Sequence, residues 1–211
     1  MSEAIPGEFY FTIEKDSFAE FKDRGSRFLA YAFPVANAEE FKKRLKDLKE
    51  EHPKAVHHCF AYQIGTDGNN LPAGRQAFRS SDDGEPSGSA GRPILGQIDT
   101  HSLTNTAVVV VRYFGGSLLG VPGLINAYKT ATSFALQINP FIKKHILTNY
   151  RLHFDYTMMN DVMLVIKKYN CEIIRQEIQL FCSMEIGIPI GKLADVFGKL
   201  KNLHQVEVAS C

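Results

Sequence analysis

The run Thr106–Phe114 constrains the fold more than any other stretch of this chain. Its centre is four consecutive valines, Val108–Val111, whose β-branched side chains favour extended backbone. The valines do not alternate with polar residues. A strand of that kind is buried on both faces, so it needs a covering layer above and below. The rest of the chain must then supply further strands and helices to sandwich it.

The flanking sequence has the required patterns. Phe9–Glu14 and Phe28–Val35 read as strands. Asn37 is placed to cap a helix, Glu40 three residues later completes a capping-box pair, and Phe41, Leu45 and Leu48 share one face. His52 and Pro53 stop that helix. Val56–Ile64 is a strand ended by the turn at residues 65–68. The stretch from there to Gly91 is rich in Gly, Ser, Asp and Pro, the mark of a functional or disordered connection. A short helical segment is expected from about Ser89 to His101. After the valine strand come Gly115 and Gly116, then a helix with Pro122 in its first position and Ile125, Tyr128, Ala131 and Ala135 facing inward.

Beyond Pro140 the pattern restarts. Tyr150–Tyr156 reads as a strand. Asn160 caps a helix with Asp161 in its first turn and Lys167 and Lys168 in its last, matching the helix dipole. Strands Cys171–Ile178 and Leu180–Ile188, a helix carrying Leu193, Val196, Phe197 and Leu200, and a strand Leu203–Ala209 follow. This is the β-α-β-β-α-β order of a ferredoxin-like domain. The expected architecture is α+β, with domains at residues 1–139 and 140–211.

Composition fits two such units: 211 residues, of which 45% are hydrophobic. The 24 basic and 23 acidic side chains give a net charge of +1, so overall charge does not argue for nucleic-acid binding. No DNA specificity is expected. The start, Met1 to Pro6, lacks a basic stretch followed by an apolar one, and no apolar run is long enough to span a bilayer. Four cysteines without a Cys-x-x-Cys pair suit free thiols in a reducing compartment. A soluble, cytoplasmic protein is expected.

Two loops carry the functional signal. In residues 80–93, Asp82, Asp83 and Glu85 crowd three carboxylates into four positions. Such a cluster is either a solvated turn capping the next helix or a holder for a divalent cation. No other cofactor is expected. In residues 112–124, a buried strand feeds Gly115, Gly116, Gly120 and Gly123 and then a helix N-terminus, an arrangement that can hold an anion or simply make a tight turn. It is neither a P-loop nor a dinucleotide loop. His57 and His58 adjoin on a strand and so point to opposite faces; each is a core or surface histidine or, for His57, a proton-transfer group. A triad from Ser87 or Ser89 with His57 and Asp82 lacks a nucleophile elbow. Arg75, Arg79, Arg92, Arg112 and Lys129 either bind phosphates or neutralise the acidic loop.

Four stretches together resemble the Impact family in its bacterial branch. They are residues 21–28, residues 56–62, residues 81–95, and Val110–Gly116 with Leu119, Gly120, Gly123, Leu124, Ala127 and Tyr128. The resemblance implies a first domain like domain 2 of ribosomal protein S5 and a ferredoxin-like second domain similar to domains of elongation factor G. It also implies a translation-associated regulatory or binding role, with RNA or ribosome contact through loops 82–93 and 112–123. Two other classes stand beside it: an enzyme acting on a phosphorylated or nucleotide ligand, and a protein–protein adaptor. The expected binding residues are His57, Ser87, Ser89, Arg92, Arg112, Tyr113, Gly115, Gly116, Gly120 and Gly123, with Asp82, Asp83 and Glu85 as metal holders. The chain departs from the family at Leu118, where a lysine is usual, and at Pro122, where a glycine is usual.

Overall fold

The computed structural model describes residues 8–65, 77–203 and 205–211. In chain order the elements are β1 (Phe9–Ile13), β2 (Ser17–Asp23), β3 (Ser26–Pro34), α1 (Ala38–Glu51), β4 (His57–Ile64), β5 (Ala77–Ser81), α2 (Gly91–Thr100), β6 (Thr106–Tyr113) and α3 (Gly120–Gln137). There follow β7 (Phe141–His145), β8 (Leu147–Asp155), α4 (Met159–Lys168), β9 (Glu172–Glu177), β10 (Phe181–Pro189), α5 (Leu193–Lys201) and β11 (Val206–Ser210). The chain divides into two compact units, one of them spanning Phe11–Thr66 and Arg75–Lys144, the other including His145–Cys211. β1 and β7 form a separate two-stranded sheet.

The larger unit is built on a five-stranded antiparallel sheet in the order β2-β3-β6-β4-β5. The valine strand β6 lies at its centre, and Ala107 to Val111 have no accessible surface. Strand alternation sorts the sheet into two cores. Phe28, Ala30, Cys59, Ala61, Val108 and Val110 pack with Ile94 and Ile98 of α2 and Leu124 and Tyr128 of α3. Leu29, Phe33, Phe60, Tyr62, Val109 and Val111 pack with Phe41 and Leu48 of α1 on the opposite face. Asn37 caps α1 as its sequence indicates: its Oδ1 accepts from the Glu40 N–H at 2.9 Å, while Glu40 Oε2 accepts from the Ala36 N–H at 2.8 Å.

Several local readings are corrected. Ser17–Asp23, which the sequence pattern leaves unassigned, is an edge strand, with Ala19 and Phe21 turned toward the core while Phe18 and Lys22 are exposed. Residues 77–81 are a strand too, held by β4 rather than by their own propensity. The turn at residues 66–68 and Arg75 lie outside the described residues. Pro122 is the third residue of α3, still within the turn whose N–H groups have no helical acceptor. Ile125 is exposed, and Leu124 faces the core in its place.

The smaller unit carries a four-stranded antiparallel sheet ordered β11-β8-β10-β9. Its elements run β-α-β-β-α-β. Val162 and Ile166 of α4 and Val196 and Leu200 of α5 share one core with Leu152, Phe154, Met184, Ile186 and Ile188. α4 is entered through a 3₁₀ turn at Tyr156–Met158 capped by Asp155, not through a cap at Asn160. Among the described residues, no helix is long and apolar enough to cross a membrane.

Candidate binding cleft

The two loops meet. His57 and Arg112 are paired across β4 and β6, and alternation puts both side chains on the α2–α3 face. There the loop after β5, the loop after β6 and the first turns of α3 border an open cleft of about 430 Å³. His57, Glu85 and Arg112 give it a polar floor. Val56, Phe114, Leu118, Leu119, Val121 and Leu124 give it apolar walls.

Glu85 and Arg112 are nearly sealed, at 8% and 6% exposure, and the Arg112 Nη1 donates to Glu85 Oε1 at 2.6 Å. The Tyr128 hydroxyl donates to the same oxygen at 2.8 Å. The guanidinium also lies near two rings, Phe28 at 5.5 Å and Phe114 at 5.8 Å. A buried ion pair of this kind is held by mutual attraction plus hydrogen bonds; removing one partner strands the other. Burial pushes the Tyr128 hydroxyl well above the ordinary phenol range. Burial likewise pushes the Cys59 thiol up to about 12, its hydrogen bond to Tyr128 offsetting only part of the rise.

The three carboxylates of the first loop do not converge. Asp82 folds its loop around itself: Oδ1 accepts from the Ala90 and Gly91 N–H groups at 3.0 and 2.8 Å, and Oδ2 from Gly88 at 2.8 Å. Burial raises the Asp82 pKa, but those three amides and the Arg92 charge outweigh it and hold the carboxyl below its ordinary range. Asp83, at a positive φ of 43°, accepts from the His58 backbone N–H at 2.7 Å and lies 3.6 Å from the Lys49 ammonium. Glu85 alone turns to the cleft. The shared metal-holding group expected from their spacing is therefore not formed. Among the described residues no three His, Cys, Asp or Glu side chains are grouped to hold a metal ion.

His57 is oriented by the same loop. Its Nδ1 meets the Asp83 carbonyl at 2.8 Å, leaving Nε2 toward Glu85 at 3.8 Å. His58 points to the opposite face, buried, and burial together with the Lys49 charge lowers its pKa. Ser89 is buried and donates to the Pro86 carbonyl at 2.6 Å, whereas Ser87 is exposed. With Asp82 spent on three amides, a serine triad does not assemble.

The remaining expected residues separate. Tyr113 sits on the α1 face, where its hydroxyl is 3.0 Å from His52 Nδ1, so it is not a cleft residue. Gly115 is a packing glycine: a Cβ there would strike the Gly25 and Ser26 backbone. Gly116, at φ +89°, faces open space and serves the turn. Gly120 lines the cavity, and Gly123 packs against Leu119. Arg92 is exposed in the first turn of α2. The glycines thus shape a wall more than an anion cradle. Sequence reasoning missed that wall. Its signal was the apolar cluster Leu118, Leu119 and Val121 inside a glycine loop, where Leu118 is 84% and Phe114 49% exposed.

Fold and site together define a two-unit mixed α/β protein with an apolar-walled cleft in its larger unit. Residues 24–136 match the Impact N-terminal domain. The Impact family member YigZ of Escherichia coli (strain K12) is 34% identical over 180 residues, covering 85% of this chain and 86% of that protein. The chain belongs to the Impact family. A crystal structure described as that of a hypothetical protein is 29% identical and superposes with a TM-score of 0.72, covering 97% of this chain and 98% of that chain. The two-domain translational regulator Yih1 is 30% identical, with 66% of this chain and 50% of that chain covered and a TM-score of 0.38.

Proposed function

We propose that this chain is a translation-associated regulatory protein that acts by binding, and that its cleft receives an apolar segment of a protein partner. Family membership supports the translational role. The observation that carries the binding mode is the cleft itself: exposed Phe114, Leu118 and Val121 stand over a floor whose charges are already paired. Exposed apolar clusters around a concavity are the usual mark of a recognition surface. An RNA phosphate would find little here, since Arg112 is buried against Glu85 and Leu118 replaces the usual lysine. We also infer an S5 domain 2-like larger domain and a ferredoxin-like smaller one, the latter supported by its strand order β11-β8-β10-β9.

A photo-crosslinking amino acid at Leu118 tests the binding mode in a translation extract. The adducts should resist nuclease and be identified by mass spectrometry as a component of the translation apparatus. The same label at Leu164, exposed on the other unit, should not give them. Nuclease-sensitive adducts alone, or the same adducts from both positions, would remove the proposal.

A further inference from the structure

We infer that the cleft reads an uncharged peptide amide beside an apolar side chain, that is, an internal segment of its partner rather than a chain terminus or a phosphate. This rests on the protein-segment reading above and specifies its chemistry. A guanidinium carries five N–H donors. Among the described residues Arg112 donates one side-chain hydrogen bond, to Glu85, and its buried Nε has no partner. The floor therefore keeps guanidinium donors that no protein acceptor meets. It is nevertheless neutral as a pair, because Glu85 balances Arg112.

A ligand carboxylate or phosphate drawn to Arg112 would come close to the buried Glu85 carboxylate, and like charges repel strongly where water is scarce. A neutral carbonyl meets the same donors without that repulsion. His57 supplies the complement. Its Nδ1 faces a carbonyl oxygen, so in the neutral imidazole Nδ1 carries the proton and Nε2 is the acceptor. The 3.8 Å to Glu85 is too long for a hydrogen bond, and Nε2 takes an N–H from the ligand. One acceptor and one donor are what a peptide unit offers. The cavity of about 430 Å³ between Phe114, Leu118 and Val121 takes the adjoining side chain.

The test titrates the isotopically labelled full chain with N-acetyl-phenylalanine amide, N-acetyl-phenylalanine and inorganic phosphate, followed by NMR of the Arg112 Nε–H and the Leu118 methyls. The amide should move both sets saturably. The carboxylate should bind roughly tenfold more weakly, and phosphate should leave both unmoved. Arg112→Lys keeps a charge opposite Glu85 but loses the planar fork, and should weaken the amide roughly tenfold or more. Leu118→Ala, at an exposed position where folding is not at stake, should weaken it severalfold. Tighter binding of carboxylate or phosphate, an unchanged affinity in Arg112→Lys, or no saturable shift with the amide would overturn the inference. The crosslinking at Leu118 judges the protein-segment reading separately, so either can fail alone.

Discussion

Arg112 Nη1 and Glu85 Oε1 lie 2.6 Å apart inside the larger unit, joining a central strand to the acidic loop across 27 residues of sequence. Glu85→Ala should leave the guanidinium buried without its counter-charge and the Tyr128 hydroxyl without its acceptor. A loss of about 3–5 kcal/mol is expected, read from the urea midpoint. Arg112→Ala should cost a similar amount, and the double variant should cost less than the sum of the two.

Asp82 should make stability pH-dependent. Its folded pKa lies below its ordinary value, because backbone amides and Arg92 outweigh the burial that raises it. A depressed carboxylate contributes stability that is full above the unfolded pKa, about 4, and is lost as pH falls through the folded value. Urea midpoints of the wild type should therefore fall on acidification below about pH 4. Asp82→Asn should flatten that fall and cost about 1 kcal/mol at neutral pH, as loss of a helix cap does.

Gly115 and Gly116 are neighbours with different reasons to be glycine. A Cβ on Gly115 collides with backbone at Gly25 and Ser26, which have no flexible end to move aside. Gly115→Ala should cost several kcal/mol or prevent soluble expression, on the order of the largest single-residue losses. Gly116→Ala meets only a φ of +89° in open space and should cost about 1–2 kcal/mol. Equal melting temperatures for the two variants would refute this division.

The thiols should separate by environment. Cys59 is buried with its pKa at about 12, Cys182 is buried, and Cys211 is exposed. The thiolate is the reactive form. An alkylating reagent at pH 8 should label Cys211 in the folded protein and reach Cys59 only on unfolding, as peptide mapping by mass spectrometry will show.

What was legible in the sequence follows from the range of the forces involved. The valine strand, the Asn37 cap of α1 and the β-α-β-β-α-β order of the smaller unit are written in residues a few positions apart. β5 was not, because Ala77–Ser81 is a strand only by pairing with Phe60–Ile64. The acidic loop was visible as three crowded carboxylates. Their separate fates depend on His58, Lys49 and Arg112, contributed by elements distant in sequence. Leu118 read as a missing cation; its position on an apolar wall emerges only when the second loop faces the first.

The central claim is that the apolar wall of the cleft is the working surface. Leu118→Asp places a charge on that wall at the most exposed of its residues, with the fold untouched. Purified wild-type protein titrated into a cell-free translation reaction should change reporter yield in a dose-dependent way, and Leu118→Asp should not. An unaltered effect from Leu118→Asp, or no effect from the wild type at any dose, would contradict the account.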